Sequence, residues 1–188
     1  GNLTPATTNN VDKQKGALTS MSKSTYKPPF TDKEKVHQTD SLANCHLLYH
    51  SETGPPLSNK QKQQLNAAQQ KAYRRALHLH NTDTGTRTTN HEVLLRANRL
   101  LLTEYIRPRR LRYLSALLHR GPQLLQRLLD CQWEDDAAWT SHMASDLHWM
   151  QIHPGVQRTT AQWINYIRSH PKQFRNDLDR AWCRALRH

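Results

Sequence analysis

Apolar side chains are scarce in this 188-residue chain, where hydrophobic residues make up 36 % and the mean hydropathy is −0.89. No run approaches the roughly 18 apolar residues of a membrane-spanning helix, so no membrane span is expected. The front of the chain has no apolar secretory signal. Cysteine is scarce too. Cys45, Cys131 and Cys183 are too few and too scattered for a disulfide framework, which points to a reducing compartment. Acids number 15 against 27 Lys and Arg, leaving a formal charge of +12 and a pI near 10.0. An imbalance of that size attracts polyanions, phosphate backbones above all.

Catalytic signatures are also missing. There is no GxxxxGK[ST], no GxSxG and no HExxH, and nothing singles out a nucleophile. No enzyme activity, cofactor or small-molecule substrate is therefore expected. Twelve histidines invite a metal hypothesis. The closest cluster, Cys45, His46 and His50, lacks a fourth ligand in register and lies in a polar stretch, so no metal site is expected.

Residues 1–57 are rich in Thr, Ser, Asn, Lys and Pro, with few clustered apolar side chains. Such a stretch buries too little surface to offset its ordering entropy, and reads as a long extended tail that RNA or neighbouring proteins would order. Lys13, Lys15, Lys23, Lys27, Lys33 and Lys35 would supply its phosphate contacts. The chain opens at Gly1 without an initiator Met, which fits a removed organellar presequence and equally a piece of a longer chain.

From Ser58 onward the apolar period is helical, and an all-α bundle of about six helices is expected over 58–188. Ser58 is the N-cap of a leading helix to about Leu79, with an apolar stripe of Leu65, Ala68, Ala72, Ala76 and Leu79. Lys71, Arg74 and Arg75 occupy its other faces. After a loop over 81–89, an Arg- and Trp-rich bundle fills 90–188. Asn90 caps its first helix, which Pro108 ends or kinks after Arg107. A helix over 109–120 stops at Gly121, and Pro122 opens the next. Further helices cover about 134–150, the residues after a Thr160 cap, and the stretch from Pro171 onward. Trp133, Trp139, Trp149, Trp163 and Trp182 mostly sit at core spacing, with Trp133 and Trp149 off the strongest stripes.

Arginine is most concentrated at Arg96, Arg99, Arg107, Arg109, Arg110, Arg112, Arg120 and Arg127, with Glu104 the one acid between them. Guanidinium forks hold phosphate in a bidentate way, so this segment is the leading RNA-binding candidate. Leu111, Leu114 and Leu118 face inward, which turns Arg109, Arg112 and Arg120 outward. Arg180, Arg184 and Arg187 form a second basic stripe on the last helix, with Lys172 and Arg175 nearby. Asp130, Glu134, Asp135, Asp136 and Asp146 form an acidic counterpart, best placed to favour a helix N-terminus.

The run EVLLRANRLLLTEYIRPRRLRYLSALLHRGPQLLQRLLD, followed by WTSHMASDLHWM and HPKQF, resembles the region after the polymerase domain in non-LTR retrotransposon reverse transcriptases. The residues that carry the resemblance are Arg110 to Leu114, Gly121 with Pro122, and Asp146 to Met150. It covers about the second half of the chain and implies a helical nucleic-acid-binding appendage. It implies no polymerase activity, since there is no Tyr-x-Asp-Asp motif and no terminal zinc knuckle.

These features together predict a non-catalytic RNA-binding component of a large ribonucleoprotein, with a mitochondrial ribosomal protein bound to rRNA and neighbouring subunits as the specific expectation. A nuclear or cytoplasmic location is the alternative. The competing readings are a retroelement fragment and a protein–protein scaffold of a membrane or respiratory assembly.

Overall fold

The structure is a computed structural model and describes residues 4–21, 30–49, 51, 53–54, 57–79, 88–134, 138–150 and 158–185. All regular structure among them is helical, as the apolar periodicity requires. The chain divides into two compact units, Gly1–Tyr49 with Leu57–Tyr105, and His50–Pro56 with Ile106–His188.

The first unit corrects the expectation of an extended tail. Thr4–Met21 is a helix (α1), and Asp32–Thr39 (α2) runs through a π turn, Asp40–Asn44, into Cys45–Leu47 (α3). They pack with α4, Asn59–Ala76, and α5, Asn90–Ala97. The apolar residues here are few but helically spaced. Leu18 and Met21 of α1 join Ala43 of the π turn against Ala72 and Ala76 of α4, where small side chains let the backbones approach. Val36 meets Tyr73, Leu77, Val93 and Ala97. Several buried polar side chains find partners within the fold, although Gln38 Oε1 and Arg74 Nε have none among the described residues. Buried Gln14 donates to Asn44 Oδ1 at 2.8 Å, and Thr39 Oγ1 donates to the Lys35 carbonyl at 2.7 Å. Average composition hides this arrangement, because the cost of burying a polar group falls once it has a partner.

Asp40 is the hub of this unit. Its carboxylate accepts from the Tyr73 hydroxyl at 2.5 Å, from Asn44 Nδ2 at 3.0 Å and from Arg99 Nε at 2.7 Å. Gln69 extends the network, donating to the Tyr73 hydroxyl and the Leu100 carbonyl and accepting from the Leu102 N–H at 2.8 Å. Burial, reinforced by the Asp40 carboxylate, pushes the Tyr73 hydroxyl far above the ordinary phenol range, so it stays a donor.

The helix starts follow one rule. Thr31, Ser58, Thr89 and Thr159 each cap a helix reciprocally with Glu34, Gln61, Glu92 and Gln162 three residues on. Ser58 lies where expected, whereas Thr89 and Thr159 replace Asn90 and Thr160 by one residue. The Thr89 backbone N–H and hydroxyl hold the Glu92 carboxyl below its usual range. The break expected at Pro108 lies instead at Asn98, whose left-handed conformation (φ 50°) ends α5. Pro108 is buried inside α6, Leu102–Arg120, which runs on through it.

The second unit contains most of α6 with α7 (Gln123–Glu134), α8 (Ala138–Met150), α9 (Thr160–Ser169) and α10 (Pro171–Ala185). The expectation of about six helices after an extended tail is therefore too low, since the described residues hold α4 to α10 from Asn59 onward and α1 to α3 before them. Its core joins Leu111, Leu114 and Leu118 of α6 to Met143 and Leu147 of α8, Trp163 and Ile167 of α9, and Phe174 and Leu178 of α10. Trp133, Trp139 and Trp149 all pack against that core, including the two expected to stand apart. Gly121 ends α6 where a Cβ would run into the Leu117 carbonyl oxygen, so a larger residue forces the turn to shift.

Two glycines therefore respond oppositely to alanine. Gly16→Ala, in open space inside α1, raises stability by about 0.5–1 kcal/mol in denaturant melts. Gly121→Ala lowers it by about 1–3 kcal/mol. An unchanged midpoint for Gly16→Ala would indicate that residues 4–21 are not helical.

Candidate nucleic-acid interface

Carboxylates are few, and among the described residues the fold engages them internally. Asp12 pairs with Lys15 at 2.9 Å, Asp32 with Lys35 at 3.4 Å and Asp40 with Arg99 at 2.7 Å. Asp130 pairs with Arg168 and Asp179 with Arg112, each at 2.8 Å. Asp177 accepts from the Tyr166 hydroxyl at 2.7 Å and lies 3.8 Å from Arg180. Burial first, then that hydrogen bond, pushes the Tyr166 hydroxyl up to about 12. Glu34 and Glu92 are held in their capping boxes.

Asp146 has the deepest pairing. It is 2 % exposed and receives a two-pronged contact from Arg110, Nε to Oδ2 at 2.6 Å and Nη2 to Oδ1 at 2.9 Å. Arg107 adds a more distant charge at 3.7 Å and lies over the Trp149 ring at 5.9 Å. Arg110, expected on an RNA face, thus joins α6 to α8 inside the second unit. Of the expected acidic patch, the structure describes the side chains of Asp130 and Asp146. Asp146 and Asp130 serve separate arginines, and residues 135–137 lie outside the described residues.

The remaining RNA-binding candidates divide by partner. Arg99 is engaged by Asp40, Arg112 by Asp179 and Arg180 by Asp177. Arg184 donates to the Arg180 carbonyl at 3.1 Å, Arg109 is half-buried, and Arg96 is exposed in the last turn of α5. Lys13 lies over the Tyr49 ring at 5.8 Å. Lys23, Lys27 and Arg187 lie outside the described residues, as does His50 of the metal candidate. Among the described residues no group of three metal-ligating side chains forms.

Two concave surfaces gather cations. In the first unit a groove of about 760 Å³ runs between α1 and α4, with Val11, Leu18, Ala67 and Ala68 along it and Lys15, Lys71, Arg74 and Arg75 among its lining residues. Arg74 is held by the Thr88 carbonyl at 3.0 Å and Asn90 Oδ1 at 2.6 Å. In the second unit a cavity of about 420 Å³ is lined by His119, Arg120, Ser169, His170, Lys172 and Arg175, with no carboxylate in its wall. Among the described residues Lys71, Arg75, Arg120, Lys172 and Arg175 have no ion-pair partner.

Four expected residues thus converge on one groove, and Arg120 lies in the other concavity. Lys172 and Arg175 were expected beside the basic stripe of the last helix rather than in a cavity with Arg120, and His119 and His170 were not among the expected ligands. The Pro171 helix start was the one local signal for this cavity, and its proximity to Arg120 depends on packing across some fifty residues of chain. No family model, curated protein or solved structure matches the chain.

The Arg110–Asp146 pair sets a stability test. Arg110→Met leaves a buried carboxylate uncompensated and costs about 3–5 kcal/mol in denaturant melts. Adding Asp146→Leu recovers most of that loss. Arg112→Gln, at an exposed pair, stays within about 1 kcal/mol of the parent. A single Arg110→Met variant as stable as the parent contradicts the pairing.

Proposed function

We propose that this chain is a non-catalytic RNA-binding structural component of a ribonucleoprotein. The observation that carries the reading is the convergence of unpaired cations on two concave surfaces, in a fold whose carboxylates are engaged internally. A polyanion supplies the missing counter-charge. RNA suits surfaces that offer side-chain cations and no built catalytic centre, and such contacts neutralise phosphates without reading base sequence. Arg120 and the α4 cations Lys71 and Arg75 are the principal phosphate ligands, together with Lys15, whose exposed pairing with Asp12 yields readily to phosphate.

A mitochondrial ribosome, with rRNA and neighbouring subunits as partners, is the particle proposed, and the basic balance supports contact with its rRNA. The tail no longer supports that choice, because α1 to α3 fold against α4 rather than extending along a partner.

A second reading, the nucleic-acid-binding appendage of a retroelement reverse transcriptase, gains support from the motif residues themselves. Arg110 and Asp146, from two separated segments of the resemblance, form one buried ion pair, and Gly121 fits a turn without room for Cβ. The motif then describes a fold, and both readings share the RNA-binding chemistry. A polymerase domain encoded upstream of Gly1 selects the retroelement; an organellar presequence there selects the ribosomal protein.

The shared chemistry is tested by changing Lys15, Lys71 and Arg75 together to Gln. Affinity for single-stranded RNAs of unrelated sequence falls by about tenfold or more, by similar factors, with helicity unchanged. Arg112→Gln leaves affinity within about twofold. Parental affinity in the triple variant removes the groove from the interface.

A further inference from the structure

The carboxylate-free cavity of the second unit has chemistry that general RNA affinity does not explain. Its cations come from separate helices. His119 and Arg120 lie at the end of α6, while Lys172 and Arg175 lie in the first turns of α10. His170, between α9 and α10, is oriented by two contacts. Its ring stacks on Tyr166 at 5.3 Å with 24° between planes, and its Nδ1 lies 2.8 Å from Ser169 Oγ. Ser169 has one hydroxyl proton and donates it to the Asn165 carbonyl at 2.7 Å. Towards His170 the hydroxyl oxygen can then accept from an Nδ1–H, which fixes the ring beside the cavity.

We infer that this cavity is a binding site for a phosphate monoester. Arg120, Lys172 and Arg175 bring three permanent positive charges to one concavity, and no carboxylate lines it. A monoester carries about 1.5–2 negative charges near neutral pH, against one for an internal phosphodiester. Attraction scales with the product of charges, so the monoester is selected. Its terminal oxygens also accept from several donors, the fork of Arg120 or Arg175 included. The monoester has two sources, a phosphorylated strand end or a free mononucleotide. The strand-end source rests on the RNA reading above; the site itself does not.

The full chain is titrated with fluorescent RNA strands of one sequence that end in a 5′-phosphate, a 3′-phosphate or hydroxyls only, and separately with AMP. One phosphate-ended strand binds about tenfold or more tighter than the hydroxyl-ended strand. The exposed double variant Lys172→Gln/Arg175→Gln loses that preference, while Lys60→Gln, on α4 outside the cavity, keeps it. AMP binding as tightly as the favoured strand assigns the site to mononucleotides; weaker AMP binding assigns it to strand ends. If no RNA binds but AMP binds the parent and not the double variant, the site stands and the RNA reading fails. Equal affinity for all three strands with no saturable AMP binding overturns the site, as does a preference that survives in the double variant.

Discussion

A shortage of carboxylates shapes this molecule. With 27 Lys and Arg and 15 acids, the chain cannot neutralise itself, and the fold decides which cations receive a partner. The best-buried carboxylate goes to Arg110, which holds α6 to α8. Asp40 joins Tyr73, Asn44 and Arg99 around the π turn. Glu34 and Glu92 secure helix starts. Lys71, Arg75, Arg120, Lys172 and Arg175 are left facing concave surfaces. In the proposed function their counter-charge comes from RNA phosphates.

The two kinds of arginine have opposite physical requirements. Arg110 works because water is excluded around it, where an unpaired Asp146 would be costly. Arg120 and Arg175 are exposed, and in the proposed role they exchange water for phosphate. A substitution that combines the two kinds therefore confounds folding with binding. Changing Arg109, Arg110 and Arg112 together to Glu would put a like charge beside buried Asp146 and break the core before any interface was tested.

Much of the helical framework was legible in the sequence. Leu111, Leu114, Leu118, Phe174 and Leu178 repeat at helical spacing and are buried, and Ser58 announces α4 by its Gln61 partner. The Thr31 and Glu34 pair announced α2 by the same rule, but average polarity obscured it. The apolar side chains of α1 to α3 are too sparse to read as a core until α4 presents its alanine face to them. The interface was legible as a list of basic residues and not as a geometry. Nothing local distinguishes Arg110, paired in the core, from Arg120, lining a cavity, because that depends on where Asp146 and Lys172 lie after folding.

The most direct test of this charge account is the salt dependence of RNA affinity. Cations neutralised from outside release counterions from the strand, and each phosphate contributes about −0.7 to the slope of log K against log salt for single strands. Engagement of about five phosphates by Lys71, Arg75, Arg120, Lys172 and Arg175 predicts a slope of about −3.5. A slope flatter than about −1, or no measurable RNA binding at low salt, would show that these cations do not meet a nucleic acid.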